Sequence, residues 1–209
     1  MEWMLHNLDE VWRLTVEHIE LSGTALLLAV VIALPIGFLV APRRLLDLPV
    51  LGVLGVIYTI PSLAFFVILI PYFGPGFVTA LIPLVAYAQV VLVRNVVTGL
   101  RGVDRDVIEA ARGMGMSRQQ ILVSVELPLA APVMIAGVRI AAVSTVALAM
   151  VAALVNAGGL GELLFVGVSQ DHMGKIVAGS VAASALAFAF NAGIGAIEAR
   201  AHHAASGER

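Results

Sequence analysis

The chain contains no cysteine, which excludes disulfides and thiolate metal sites. Charge is scarce as well: Asp, Glu, Lys and Arg make up 12% of its 209 residues, against 60% hydrophobic ones. Soluble domains carry roughly a quarter charged residues, so this deficit points to an integral membrane protein. No basic cluster is present to suggest a nucleic-acid partner. No internal repeat or low-complexity linker divides the chain, so one domain is expected. There is no His-Glu-x-x-His, no Gly-x-Ser-x-Gly and no intramembrane pair of carboxylates, which removes the residues an intramembrane enzyme or a proton-coupled carrier would use. The nearest approach to a phosphate loop is Gly167 with Gly174-Lys175. Its spacing is wrong, and Ile176 stands where Ser or Thr is needed. Asp171 and His172 read as a solvated loop pair. The chain is not expected to hydrolyse ATP, to bind a cofactor or to hold a metal.

What the sequence does have is long apolar runs. A bilayer core of about 30 Å takes ~20 apolar residues of helix. Residues 21–41, 50–73, 77–100, 127–155 and 176–197 meet that length, which predicts an all-α membrane protein of five transmembrane helices. Residues 1–20 hold Glu2, Asp9, Glu10, Glu17 and Glu20 without a basic start, so they are not expected to be a cleaved signal peptide. Leu5, Leu8, Val11 or Trp12, and Thr15 or Val16 recur near helical spacing there, predicting an amphipathic interfacial helix that leads into the first span. The expected organisation is this segment at 1–20, a transmembrane domain at 21–200 with a polar loop at 101–127, and a tail at 201–209.

Positive charge sets the orientation. Arg43 and Arg44 fall in the first loop, Arg101, Arg105, Arg112 and Arg118 in the third, and Arg200 and Arg209 in the tail. With five spans these share one side, and Arg13 and Lys175 lie on the other. The N-terminus is therefore expected outside and the C-terminus in the cytoplasm. Arg94 and Arg139 lie within spans, near the cytoplasmic ends, where long side chains snorkel to the interface.

Three local features interrupt the apolar runs. Tyr58-Thr59-Ile60-Pro61-Ser62 and then Pro71 break the second span, since proline removes a helical hydrogen bond and clashes a turn back. In lipid such a break must face protein or a wet cavity, so Tyr58, Thr59, Pro61 and Ser62 are candidate pathway or gate residues; a packing kink is the other reading. Asn156-Ala157-Gly158-Gly159-Leu160-Gly161 marks a backbone that bends or packs closely, followed by a short helix or a plain loop. Ala185, Ala189 and Gly193 at four-residue intervals suit a close helix contact, although alanine richness alone produces such spacing. Tyr58, Phe65, Phe66, Tyr72, Phe73 and Tyr87 supply aromatic lining or core.

The polar loop is more ordered than a spacer needs. Asp106 with Glu109 forms a predicted capping box, and Ser117 with Gln120 a second. Between them Val107, Ala110, Ala111 and Met114 make one apolar stripe, and Gly113 or Gly115 supplies the left-handed stop. The second helix runs through Ile121, Leu122 and Val125 to Leu127-Pro128. The result is a helix–glycine–helix elbow, one arm lying across the membrane face and the other entering it.

Glu109-Ala110-Ala111, then Gly115, then Val125 and Leu127-Pro128 resembles the EAA signature of permease subunits of binding-protein-dependent ABC importers, with valine in place of the usual isoleucine. The Thr59-Ile60-Pro61-Ser62-Leu63-Ala64 and Gly158-Gly159-Leu160-Gly161 segments resemble the osmoprotectant branch, which handles glycine betaine, carnitine and choline. The resemblance implies a type I ABC importer (MetI-like) transmembrane fold, with two permease subunits (the same or a homologous chain) side by side in membrane lipid. It further implies a cytosolic ABC ATPase that carries ATP and Mg, and an extracytoplasmic solute-binding protein. Glu109, Ala110, Ala111, Gly115, Leu127 and Pro128 would couple to the ATPase. A permease for methionine or another amino acid is the alternative.

Overall fold

The computed structural model describes Trp3 and residues 6–206, so Glu2, Leu5, Arg209 and the end of the tail lie outside the described residues. The described residues form helices and turns with no strand. Helix α1 spans Leu8–Val40, a rod of about 50 Å at 1.5 Å per residue. Asp9 and Glu10 sit in its first turn, where the helix dipole favours acids. Its buried positions, among them Val11, Leu14, His18, Leu21 and Ala25, recur three and four apart and form one stripe. The expected interfacial head is thus the opening of the first long helix. Its apolar side is covered by protein, because Val11 and Leu14 pack on Leu160, Leu163 and Ala183.

A tight turn at Arg44–Leu46 and a wide one at Asp47–Leu51 lead into α2 (Gly52–Thr59) and α3 (Ser62–Phe73). These two helices are bent by 91° at Ile60-Pro61, so the second predicted span is a broken pair and not a straight rod. α4 runs Phe77–Arg101, and the polar loop holds α5 (Arg105–Gly113) and the short α6 (Arg118–Ile121). α6 continues through Leu122–Glu126 into α7 (Leu127–Ala152), an unbroken helical path from Arg118 to Val155. α8 (Gly161–Ser169) and α9 (Met173–Ser206) complete the chain. Four helices are long and apolar enough to cross a membrane, and the bent pair makes a fifth crossing if it counts as one.

The core forms where α1, α4 and α7 meet. Leu26, Ala29 and Ala33 face Leu92, Val93 and Val97, with Ala141 and Ala142 closing the third side. Small residues set the spacing: a Cβ on Gly37 would lie 2.4 Å from Val96, and one on Gly137 would lie 2.4 Å from Asn95. A second cluster of Leu21, Ala25, Phe66, Ala80, Leu84 and Ala149 ties α3 to the same three helices. α9 lies against α7 and α8 through Ala178, Gly179 and Ala183, while Ala185, Ala189 and Gly193 are exposed. The four-residue series therefore falls on the side of α9 that no other described element covers, because the inward face is offset from it around the helix.

Candidate functional site: a capped elbow and a broken helix

The elbow begins at Asp104, whose backbone is extended (φ −59, ψ 131) and whose side chain accepts from the Asp106 amide at 2.9 Å. The predicted Asp106–Glu109 box therefore does not form. Asp106 is already inside the first turn, and its amide is the orphan donor that Asp104 satisfies. At the other end of α5, Gly115 takes φ +83. The Gly115 amide donates to Arg112 (3.0 Å) and the Met116 amide to Ala111 (3.2 Å). That pair of bonds is a Schellman stop, which requires a left-handed residue where glycine stands. Gly113 stays helical. The Ser117–Gln120 box is present: the Ser117 amide donates to Gln120 Oε1 at 2.8 Å and the Gln120 amide to Ser117 Oγ at 3.4 Å.

The apolar stripe on α5 divides. Ala111 is 2% exposed and turns inward with Ile108, whereas Val107 is 42% and Met114 76% exposed, with Ala110 and Glu109 beside them. Behind the elbow lies a cavity of about 400 Å³, lined by Phe38, Leu100, Ile108, Met116 and Ile121 and by Arg112 and Arg118, among others. Leu127 and Pro128 stand apart from α5, at the start of α7. Arg101 secures the adjoining helix ends. Its guanidinium donates to the Val40 and Ala41 carbonyls, at 3.1 and 2.9 Å, and grips both Asp47 oxygens at 2.7 Å. One planar fork thus caps α1 and pins the following turn.

The broken helix places Tyr58, Thr59, Pro61 and Ser62 around one bend. Ile60 is extended (ψ 128), as the residue before proline must be. The Ile60 carbonyl, which has no helical partner at the break, accepts from the Tyr87 hydroxyl. Tyr58 and Phe65 each meet the Tyr87 ring edge to face at 5.8 Å. Thr59 Oγ1 donates back to Val56 at 2.7 Å. Tyr87 lies 14 residues before Arg101, so the bend sits roughly 21 Å along α4 from the elbow end. Tyr58 remains 54% exposed.

Two polar constellations escape a reading of the sequence. Arg139 has two partners on α9: its Nε donates to Asn191 Oδ1 at 2.7 Å and its Nη1 pairs with Glu198 at 3.1 Å. The one signal for it is that Asn191 and Glu198 stand seven apart, on one face of α9. At the other end of the bundle, Glu17 and His18 bind the turn that precedes α8. The Gly167–Gly174 pair serves packing, since a Cβ on Gly167 would lie 2.8 Å from Ile176. His172 is not merely solvated: its Nδ1 accepts from the Lys175 amide at 3.3 Å and its ring meets Trp3.

Residues 33–203 match the family model described as binding-protein-dependent transport system inner membrane component. A carnitine transport permease protein of Listeria monocytogenes is 37% identical, the alignment covering 93% of this chain and 88% of the relative. A choline transport system permease protein of Bacillus subtilis is 34% identical over 90% and 86%. An osmoprotectant import permease protein of Salmonella typhimurium is 37% identical over 87% and 86%. Among solved structures, an inward-facing methionine ABC transporter superposes with a TM-score of 0.79 at 24% identity, covering 96% of this chain and 97% of that one. An amino acid ABC transporter gives 0.73 at 17% identity, over 94% and 96%. These two share the type I importer transmembrane fold.

Proposed function

The chain belongs to the family of binding-protein-dependent transport inner membrane components, and from that premise we propose that it is the permease subunit of an ABC importer for a small osmoprotectant such as glycine betaine, carnitine or choline. The relatives named for carnitine, choline and osmoprotectants support this solute class. The likeness to the methionine transporter supports the fold. The observation that carries the mechanism is the elbow: a helix fixed at both ends, with Val107, Ala110 and Met114 left uncovered on its outer side.

An apolar helix face of that kind, flanked by Glu109, suits insertion into a groove on a partner. The partner in this reading is a cytosolic ATPase, so the elbow and the arginine-rich end face the cytoplasm and the N-terminus lies outside. The partner binds ATP and Mg; this chain binds neither. Because α6 and α7 form one path, a push on the elbow travels directly into the membrane. Two permease copies or homologues would then rock about the pathway. In this reading the bend at Ile60-Pro61, with Tyr58, Thr59 and Ser62, lines the route. A receptor outside delivers solute.

Reconstitution tests the reading. The chain, its ATPase and its receptor are placed in vesicles, and ATP-dependent uptake of labelled glycine betaine, carnitine and choline is measured beside methionine. Uptake of at least one quaternary ammonium compound is expected. Uptake of methionine alone would reassign the solute, and no ATP-dependent uptake of any solute would remove the importer reading.

A further inference from the structure

The turn at residues 156–161 is held in place by two adjacent side chains of α1, and transport by the elbow gives them no task. Asn156 (φ 59), Gly158 (φ 76) and Gly159 (φ 81) are all left-handed. Glycine adopts such a backbone without strain and asparagine tolerates it, so the turn needs partners for its amides more than relief of strain. His18 is fully buried and reaches two further elements at once. Its Nδ1 accepts from the Leu160 amide at 3.3 Å, which leaves the ring proton on Nε2, 3.0 Å from the Val146 carbonyl of α7. Next to it, Glu17 Oε2 accepts from the Gly159 amide at 3.1 Å, and the other carboxylate oxygen pairs with Arg13 at 2.5 Å. Both glycines are shaped to these partners. A Cβ on Gly158 would lie 2.6 Å from Glu17, and one on Gly159 would lie 2.9 Å from His18. Gly161 then seats the start of α8 directly on the Met150 carbonyl of α7.

Three elements therefore converge on one imidazole. We infer that Glu17 and His18 are positioning residues that fasten the 156–161 turn, and α8 behind it, to α1 and α7, so that these ends of the bundle move as one body through the transport cycle. The joint motion through the cycle rests on the importer reading; the fastening rests on geometry alone. Burying an imidazole with both nitrogens committed is worthwhile only if the Leu160 amide and the Val146 carbonyl that it joins stay put.

The test is hydrogen exchange on the full chain, reconstituted with its ATPase, read in the peptide covering residues 156–163 with and without vanadate-trapped nucleotide. In the unaltered protein the segment should stay protected in both states. His18→Ala should raise its exchange roughly tenfold, the effect of one lost buried hydrogen bond. His18→Asn keeps an acceptor where Nδ1 was and should stay near the unaltered rate. His18→Gln keeps only the donor toward Val146 and should behave as the alanine variant does. Glu17→Gln, a weaker acceptor, should speed exchange at Gly159. Solute moved per ATP should follow the same order, with Asn rescuing and Gln failing. Loss of protection in one nucleotide state of the unaltered protein, or equal exchange in the Asn and Gln variants, would overturn the proposal. Absent uptake with the exchange order intact would instead remove the importer reading and leave the fastener standing.

Discussion

Single atoms decide how closely the helices approach, and the glycines show it. At Gly161 an added methyl would fall 2.0 Å from the Met150 carbonyl oxygen, which is backbone and has no rotamer to change. Gly161→Ala should therefore push α8 off α7 and cost about 1–3 kcal/mol, the usual scale of overpacking. Gly193 is the control: it is helical and exposed, and an added methyl there would meet nothing within 4 Å. Gly193→Ala should be neutral or stabilising by up to ~1 kcal/mol, because alanine loses less conformational freedom in a helix. Thermal unfolding of both variants in detergent measures the difference; equal midpoints would mean that the α7–α8 contact is not tight. The same scale governs Arg101, where a single guanidinium holds two carbonyls at the end of α1 and an acid.

At the scale of elements, the elbow is the unit that matters, and its two ends differ in how readable they are. The Ser117–Gln120 box is a local pattern within four residues, so sequence alone reveals it, whereas the glycine stop is legible only as Gly113 or Gly115 and the backbone selects Gly115. The other cap lies two residues before the position expected: Asp106 has a glutamate three residues on and Asp104 does not, yet both are N-cap residue types and the backbone chooses Asp104. The stripe reads as one face in the sequence, but Ala111 and Ile108 turn inward while Val107, Ala110 and Met114 do not. Contacts far apart in sequence are not legible at all: Tyr87 to Ile60, Arg139 to Glu198, His18 to Leu160. Nothing in the local pattern of α4 says that its tyrosine will serve a broken carbonyl on another helix. The bend itself is legible at Pro61, but its 91° angle depends on that remote hydroxyl and on the aromatic contacts. The elbow also yields a sharp prediction. Gly115→Val places a β-branched residue at φ +83, costing about 1–2 kcal/mol locally. Solute uptake should fall at least about tenfold while the protein stays in the membrane and the ATPase still turns over. Gly113→Ala, at a helical glycine with open space around it, should leave uptake unchanged. Normal uptake by the valine variant would deny the elbow its coupling role.

Across the whole molecule the two ends of the bundle are chemically unlike, and the proposed orientation rests on that contrast. One end carries Arg43, Arg44, Arg101 and the elbow with Arg105, Arg112 and Arg118. The other carries the acid-rich start of α1, the glycine turn and α8. α7 connects the elbow to that turn without a break, so the two lie at opposite ends of the bundle. In the proposed orientation the excess of arginine puts the elbow end in the cytoplasm. Since the chain has no cysteine, one introduced thiol reports its own side with no background. Ser117 in the elbow and Ser169 at the end of α8 are both exposed. In intact cells an impermeant thiol reagent should label Ser169→Cys within minutes and leave Ser117→Cys untouched until the membrane is opened. The opposite pattern would put the elbow outside, beyond the reach of any cytosolic motor. Labelling of both from outside would mean that the bundle does not span the bilayer as its apolar lengths require.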